Sequence, residues 1–134
     1  MPVSVVVLTF NEEENIRFTL ESVVGFSDDI HVVDSFSTDR TVEIASEFDV
    51  TIHRNPWGGW AAQRNWAQEH ILFQYPWILY LDADEIVTGE AKEEIARLIH
   101  CAGSEISGFH LPFEFWFLDR KIGKAMVPPL RLVR

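Results

Sequence analysis

Two aspartates, Asp82 and Asp84, close the apolar run Trp77-Ile78-Leu79-Tyr80-Leu81, and Glu85 adds a third carboxylate. Acids crowded this closely repel one another, so a divalent cation is their natural partner. Hard oxygen donors select Mg²⁺ or Mn²⁺, commonly held by one or two carboxylates together with substrate phosphates. The chemistry suggested is a metal–diphosphate site. The competing reading of Asp-Ala-Asp alone is a solvated acidic turn that leads into a helix. Two other polar clusters also follow apolar runs. Thr9-Phe10-Asn11-Glu12 comes after Val3 to Leu8, and Asp34 comes after Val32-Val33. An acid at a strand end accepts hydrogen bonds from a ribose hydroxyl or a base N–H, and it also serves as a turn cap.

The clusters make one site only if the fold brings them together. Val3 to Leu8 and Trp77 to Leu81 read as short buried strands, apolar enough to be covered on both faces, and Asp29 to Val33 and Val50 to His53 read as two further short strands. Between them lie helical patterns. Glu12-Glu13-Glu14 would fill the first turn of one helix, capped by Asn11, with Ile16, Leu20, Val23 and Val24 facing the sheet. Val42, Ile44, Ala45 and Phe48 mark a second helix. Trp60 to about Leu72 marks a third, with Ala67 and Ile71 inward. A fourth runs from Glu90 to about His100, with Thr88 as cap. This β-α-β-α-β order predicts an α/β fold with a mostly parallel sheet and right-handed crossovers. Its ligand crevice lies at the carboxyl ends of the strands, where all three clusters then sit.

After Gly103 the texture changes. Gly108 to Leu118 is aromatic and partly alternating, which predicts antiparallel strand. Asp119-Arg120-Lys121 reads as a turn, Pro128-Pro129 as a break, and Leu130 to Val133 as the start of a further strand. The chain therefore reads as one domain over 1–134, with a nucleotide-binding half (1–102) and the opening of a substrate half (103–134).

A formal net charge of −10 argues against a nucleic-acid partner, which would need a basic face. Phosphate ligands that arrive with a metal stay open, because the cation supplies the positive charge. The single cysteine, Cys101, can form no internal disulfide and suits packing near a helix end in a reducing compartment. No apolar run approaches the ~20 residues of a membrane span, and the N-terminus lacks the pattern of a signal peptide. The expected location is cytoplasmic.

Three segments carry a resemblance: Val5-Val6-Val7-Leu8-Thr9-Phe10-Asn11-Glu12-Glu13-Glu14-Asn15-Ile16, Val32-Val33-Asp34-Ser35-Phe36-Ser37-Thr38-Asp39-Arg40-Thr41, and Leu79-Tyr80-Leu81-Asp82-Ala83-Asp84-Glu85. In this order and at these separations the chain resembles a family 2 glycosyltransferase of the GT-A fold. Trp60-Ala61-Ala62-Gln63-Arg64-Asn65-Trp66-Ala67 and Leu130-Arg131-Leu132-Val133-Arg134 resemble segments of the bacterial lipopolysaccharide-core β-glucosyltransferases. The resemblance implies a Rossmann-like GT-A sheet, truncated in its acceptor half. It implies that Thr9, Asn11 and Glu12 line the nucleotide pocket and that Asp34 holds the base or ribose. Arg64 would reach the base or diphosphate, or else be an ordinary surface arginine. Asp82 would bond the ribose or the metal, and Asp84 would bind Mg²⁺ or Mn²⁺ across the diphosphate. Glu85 reads as a helix-start residue.

The implied reaction is inverting transfer from a nucleotide-diphosphate sugar, expected to be a UDP-sugar, to an envelope glycan or lipid-linked acceptor. Such a reaction needs a carboxylate base. The family's base is expected beyond Arg134, so residues 1–134 would bind donor without turning it over. Glu114 and Asp119 match no base motif. Phe36 stands where the family usually carries a small residue, often Gly. A sugar nucleotidyltransferase is the alternative enzyme, although Thr9 to Glu13 lacks the glycine-rich loop of that class; a non-catalytic nucleotide-sugar-binding or scaffold domain is the other. Trp57 and Trp60 are expected in the core, with stacking on a sugar or base as the alternative. Phe113 to Phe117 reads as an uncovered sheet edge or a patch for peripheral membrane contact. The histidines show no metal-ligand spacing and receive no role.

Overall fold

The computed structural model describes residues 1–125 and 132–134. The break expected at Pro128-Pro129 and the strand start expected at Leu130 lie outside the described residues. Four strands alternate with helices: β1 (Val3–Thr9), α1 (Ile16–Val23), β2 (Ile30–Asp34), α2 (Thr41–Ala45), β3 (Thr51–Arg54), α3 (Trp60–His70), β4 (Trp77–Asp82) and α4 (Gly89–Cys101). The four strands pair in parallel in the order β3-β2-β1-β4. Two short strands, β5 (Gly108–Phe109) and β8 (Leu132–Val133), extend the sheet antiparallel beyond β4. Between them in sequence, β6 (Phe113–Phe117) and β7 (Arg120–Ala125) form a separate hairpin. The fold is thus a mostly parallel α/β sheet, as the alternation of elements predicts. Among the described residues no helix is long and apolar enough to cross a membrane.

β1 is the axis of the sheet, buried at all its positions. Strand side chains alternate between faces. Val3, Val5 and Val7 join Ile16, Leu20 and Val23 of α1, Ile44 and Ala45 of α2, and Ile95 of α4 in one core. Val6 and Leu8 join Ala67 of α3, with Val33, Ile78 and Tyr80, in the core on the other face. Each fully buried valine or leucine contributes roughly 1.5–3 kcal/mol. The sheet is therefore held from both sides, and its register is strongly specified.

α1 starts at Ile16, not at Glu12, and Asn11 does not cap it. The acidic segment is engaged elsewhere. Asn11 has φ +50° and its Oδ1 accepts from the Thr38 amide at 2.8 Å. The Glu12 amide donates to Thr41 Oγ1 at 2.8 Å, and the Glu13 amide to Asp39 Oδ2 at 3.2 Å. The Glu12 and Glu13 amides are thus satisfied by Thr41 at the start of α2 and by Asp39 before it, and Asn11 Oδ1, engaged by Thr38, is not left to cap a helix. α4 follows expectation, with Thr88 Oγ1 accepting from the Ala91 amide. Cys101 ends α4 exposed rather than packed. In the hairpin only Leu118-Asp119 forms the turn, because Arg120 and Lys121 already pair with Phe117 and Trp116.

Sequence patterning assigned the histidines nothing, yet buried His31 and half-buried His53 join in one chain. Asp29 accepts from Ser4 Oγ, from the Gln74 amide at 2.9 Å and from His31 Nε2 at 3.0 Å. His31 Nδ1 lies 3.1 Å from His53 Nε2, so a neutral His31 donates to Asp29 and accepts from His53. Burial opposes ionisation of Asp29, but the bonds from Ser4 and Gln74 and the His31 contact outweigh it and hold the carboxyl below its ordinary 3.8. Burial, and then the charge of His31, hold His53 below its ordinary 6.5. The unfolded chain takes up the His53 proton first as pH falls. The stability tied to neutral His53 is therefore complete above about 6.5 and lost below it, while that of Asp29 persists until below 3.8. We expect the urea midpoint to fall between pH 7.5 and 5.5, and His53→Gln to shrink that fall. Identical pH profiles for the two proteins would contradict this assignment.

Candidate functional site

The strand register brings the sequence-predicted acids within one residue of one another along the sheet edge. Thr9 pairs with Asp34, Asp34 with Arg54, and Leu8 with Asp82. All lie at the carboxyl edge of the parallel strands. Thr9 and Asp34 are buried, Asp82 is half-buried and Asp84 is exposed. By alternation Thr9 and Asp34 continue the face covered by α1 and α2, while Asp82 follows Tyr80 on the α3 face. The edge therefore presents hydrogen-bonding groups on both sides of the sheet. Among the described residues Thr9 Oγ1 is buried without a hydrogen-bond partner. Leaving such a group unsatisfied costs roughly 1–3 kcal/mol, which a ligand atom at this position would offset.

Asp34 shapes its own loop. Its Oδ2 accepts from the Ser37 amide at 3.0 Å and its Oδ1 from the Ser37 hydroxyl. The chain folds back over the carboxylate and forces Phe36 to φ +63°. A side chain in the left-handed region costs roughly 1–2 kcal/mol, a cost that glycine would not carry there. Asn11 and Glu12 do not sit at the strand ends with Asp34. They lie in the next layer, locked to Ser37, Thr38 and Thr41, and Glu12 Oε2 accepts from Asn15 Nδ2 at 2.9 Å.

The Asp82-Ala83-Asp84 turn is held by its neighbours. The Ala83 amide donates to the Leu8 carbonyl at 3.1 Å, and Thr19 Oγ1 of α1 donates to the Ala83 carbonyl at 2.8 Å. Glu85 does not begin a helix, since α4 starts at Gly89. It closes the turn instead: its Oε2 accepts from the Asp82 amide at 2.8 Å. Ala83 is anchored in the core and Asp84 stands out into solvent.

On the other face α3 contributes two buried polar residues. The Arg64 guanidinium carbon lies 5.4 Å from the centroid of the Tyr80 ring, and the Tyr80 hydroxyl donates to the Arg64 carbonyl at 3.4 Å. Arg64 is therefore a buried arginine beside β4 and not a surface one. Burial pushes the Tyr80 phenol up to about 12, so it stays protonated. Gln63 was missed from sequence, although its segment was singled out. Its Nε2 donates to Ser35 Oγ at 2.7 Å and its Oε1 accepts from Asn55, which ties α3 to the ends of β2 and β3. Trp57 and Trp60 are not core residues. Each is about half exposed, and they pack edge-to-face on one another at 4.9 Å.

The donor set decides what kind of metal would fit. Among the described residues no group of three or more His, Cys, Asp or Glu is placed to hold an ion. Asp82 and Asp84 supply two carboxylates at most. That is too few for an ion caged by protein alone, and it fits an Mg²⁺- or Mn²⁺-type ion that shares its shell with phosphate oxygens.

A mostly parallel sheet with these groups at its carboxyl edge is the architecture of the GT-A glycosyltransferases. The Glycosyl transferase family 2 profile matches residues 4–122, and the chain belongs to that family. A relative described as an uncharacterised glycosyltransferase of Rickettsia bellii is 37% identical over 93 residues, which is 69% of this chain and 31% of that protein. The chain spans about a third of the length of this relative. S. aureus TarS 1–349 in complex with UDP-GlcNAc superposes with a TM-score of 0.63 at 27% identity, over 75% of this chain and 31% of TarS. The mannosyltransferase PcManGT from Pyrobaculum calidifontis, solved with GDP-Man and Mn²⁺, shares the fold with a TM-score of 0.63 at 24% identity, over 80% of this chain and 34% of that one.

Two substitutions test the local account. Phe36→Gly removes the left-handed strain and should raise stability by about 0.5–1 kcal/mol, after the entropic cost of glycine; a clear loss would show that the Phe36 ring packs usefully. Thr19→Val strands the Ala83 carbonyl and should cost about 1–3 kcal/mol in urea denaturation. A neutral result would show that α1 does not hold the turn.

Proposed function

We propose that this chain is the donor-binding part of an inverting glycosyltransferase that uses a nucleotide-diphosphate sugar, with UDP as the nucleotide. The observation that supports this best is the placement of Thr9 level with Asp34, and of Asp82 beside Leu8 one residue away, at one sheet edge. UDP-GlcNAc in TarS, a relative by fold and sequence, supports the choice of UDP. In this reading residues 1–102 form the nucleotide-sugar half and 103–134 open the acceptor half. Asp34 accepts hydrogen bonds from the base or ribose. Thr9 Oγ1, the buried hydroxyl at the same edge, takes a bond from the nucleotide. Asn11 and Glu12 shape the pocket through the loop they lock. Arg64 supplies positive charge on the α3 side.

Asp84, with Asp82, would hold Mg²⁺ or Mn²⁺ against the diphosphate. When bound, such an ion offsets the negative charge that grows on the leaving nucleotide diphosphate. Inversion also requires a carboxylate to take the proton of the acceptor hydroxyl as it attacks. We place that base outside residues 1–134, because Glu114 is paired with Lys121 and Lys124 and Asp119 lies at the tip of a separate hairpin. On the segments Trp60 to Ala67 and Leu130 to Arg134, we take the acceptor to be an envelope glycan, of the lipopolysaccharide-core type. A cytoplasmic setting fits an exposed, unpaired Cys101.

Isothermal calorimetry with UDP-sugars is the test. Binding should tighten about tenfold, or ~1.4 kcal/mol, when Mn²⁺ is added, and Asp84→Ala should remove that gain. Absence of metal-dependent binding would overturn the donor-site reading, and an unchanged gain in Asp84→Ala would show that the ion sits elsewhere. A full-length protein that binds donor but transfers nothing would favour a non-catalytic binding domain.

A further inference from the structure

The β6–β7 hairpin stands apart from the main sheet and is apolar at its free end. Phe115, Trp116, Phe117, Leu118 and Ile122 are 49%, 61%, 65%, 81% and 67% exposed. By alternation Trp116 and Phe117 lie on opposite sides of the ribbon, a register shift falls between Phe115 and Trp116, and Leu118 is at the tip. The apolar groups therefore surround the end of the ribbon instead of forming one flat patch. An isolated two-stranded ribbon is marginal in water.

The tip itself is unusual. Leu118 and Asp119 have φ +47° and +58°, the left-handed pair of a tight two-residue hairpin loop. Asn-Gly suits that loop best, and leucine is strained in it. A strained leucine that is also 81% exposed serves neither the turn nor the core. Strain of this kind points to a role outside the fold.

Charge sets the hairpin apart from the rest of the chain. The hairpin carries Arg120, Lys121 and Lys124 against Glu114 and Asp119, in a chain whose net charge is −10. Arg120 pairs in register with Phe117 and Lys121 with Trp116. Glu114 is neutralised by Lys121 and Lys124 at 2.7 and 3.4 Å. The cations, two of them paired with Glu114, thus sit just behind an aromatic tip, while the rest of the chain carries the excess of acids. Tryptophan and phenylalanine next to lysine and arginine is the composition of segments that lie in a membrane interface. The basic groups meet anionic headgroups, and the acidic body is repelled. Asp119 at the tip keeps the insertion shallow.

We propose that the β6–β7 hairpin docks end-on into the headgroup region of an anionic lipid bilayer, with Leu118 and Trp116 as the apolar anchors. This does not rest on the donor-site reading, because the hairpin is a separate sheet. The test is sedimentation of the full-length protein with vesicles of phosphatidylcholine, alone or with a minority of phosphatidylglycerol. Binding should require the anionic lipid and fall as salt rises. Leu118→Gly relieves the turn while it removes the anchor, so it should keep the fold, by thermal unfolding, and weaken binding about tenfold. Arg120→Gln should weaken it without a change in fold. Wild-type protein that ignores anionic vesicles, or a Leu118→Gly variant that binds them as well as wild type, would overturn the proposal. So would a dimer that Leu118→Gly dissociates, since a second copy would then cover the hairpin.

Discussion

The carboxyl edge of this sheet depends on the register of β1 with its two neighbours. Side chains alternate along a strand, so a slip by one residue sends each of them to the opposite face. Thr9 stands level with Asp34, and Asp82 with Leu8, only in the register observed. That register is fixed because β1 is buried on both faces, by α1, α2 and α4 on one side and α3 on the other. The polar edge is thus positioned by apolar packing some distance below it. The valines of β1 touch no ligand, yet they decide where a carboxylate can meet one.

Above the register lies a second layer of control, made of short polar contacts. Asp34 folds its loop through Ser37, and that loop in turn takes up Asn11 and Glu12. Thr19 and Glu85 close on the Asp82 turn from opposite sides. Gln63 ties the end of β2 to the end of β3. Each bond is modest, about 1 kcal/mol net. Together they leave few ways for the strand ends to move, which is what the proposed diphosphate site requires.

Hydrophobic periodicity made β1, β2 and β4 and the helices between them legible, because burial on two faces leaves continuous apolar runs, whereas β3 is only partly covered. The strand-end clusters were legible for the same reason: polar residues after such runs have only the sheet edge to occupy. Local rules failed where tertiary hydrogen bonds won. Three glutamates after Asn11 look like a capped helix start, but Asn11 Oδ1 is taken by the Thr38 amide, Thr41 and Asp39 take the Glu12 and Glu13 amides, and α1 begins only at Ile16. Glu85 looks like a helix start and instead reaches back to Asp82. Gln63 and the Asp29–His31–His53 chain join residues distant in sequence, and no spacing rule reports such a meeting. Trp57 and Trp60 went against expectation because two rings that cover each other need no core. One departure was visible in advance: the aromatic Phe36 in a glycine-like position marks the strained turn beside Asp34.

The central claim is that the metal–diphosphate chemistry belongs to the Asp82-Ala83-Asp84 turn at the end of β4. The chain offers a rival, the acidic loop of Glu12, Glu13, Glu14 and Asp39. Paramagnetic broadening of amide NMR signals by Mn²⁺, added with UDP, separates the two directly. Our account predicts the strongest broadening at Ala83 to Glu85, and weaker effects at Phe10 and Ser35 beside the strand ends. Broadening centred on Glu13, Glu14 and Asp39, with Ala83 to Glu85 left sharp, would contradict it.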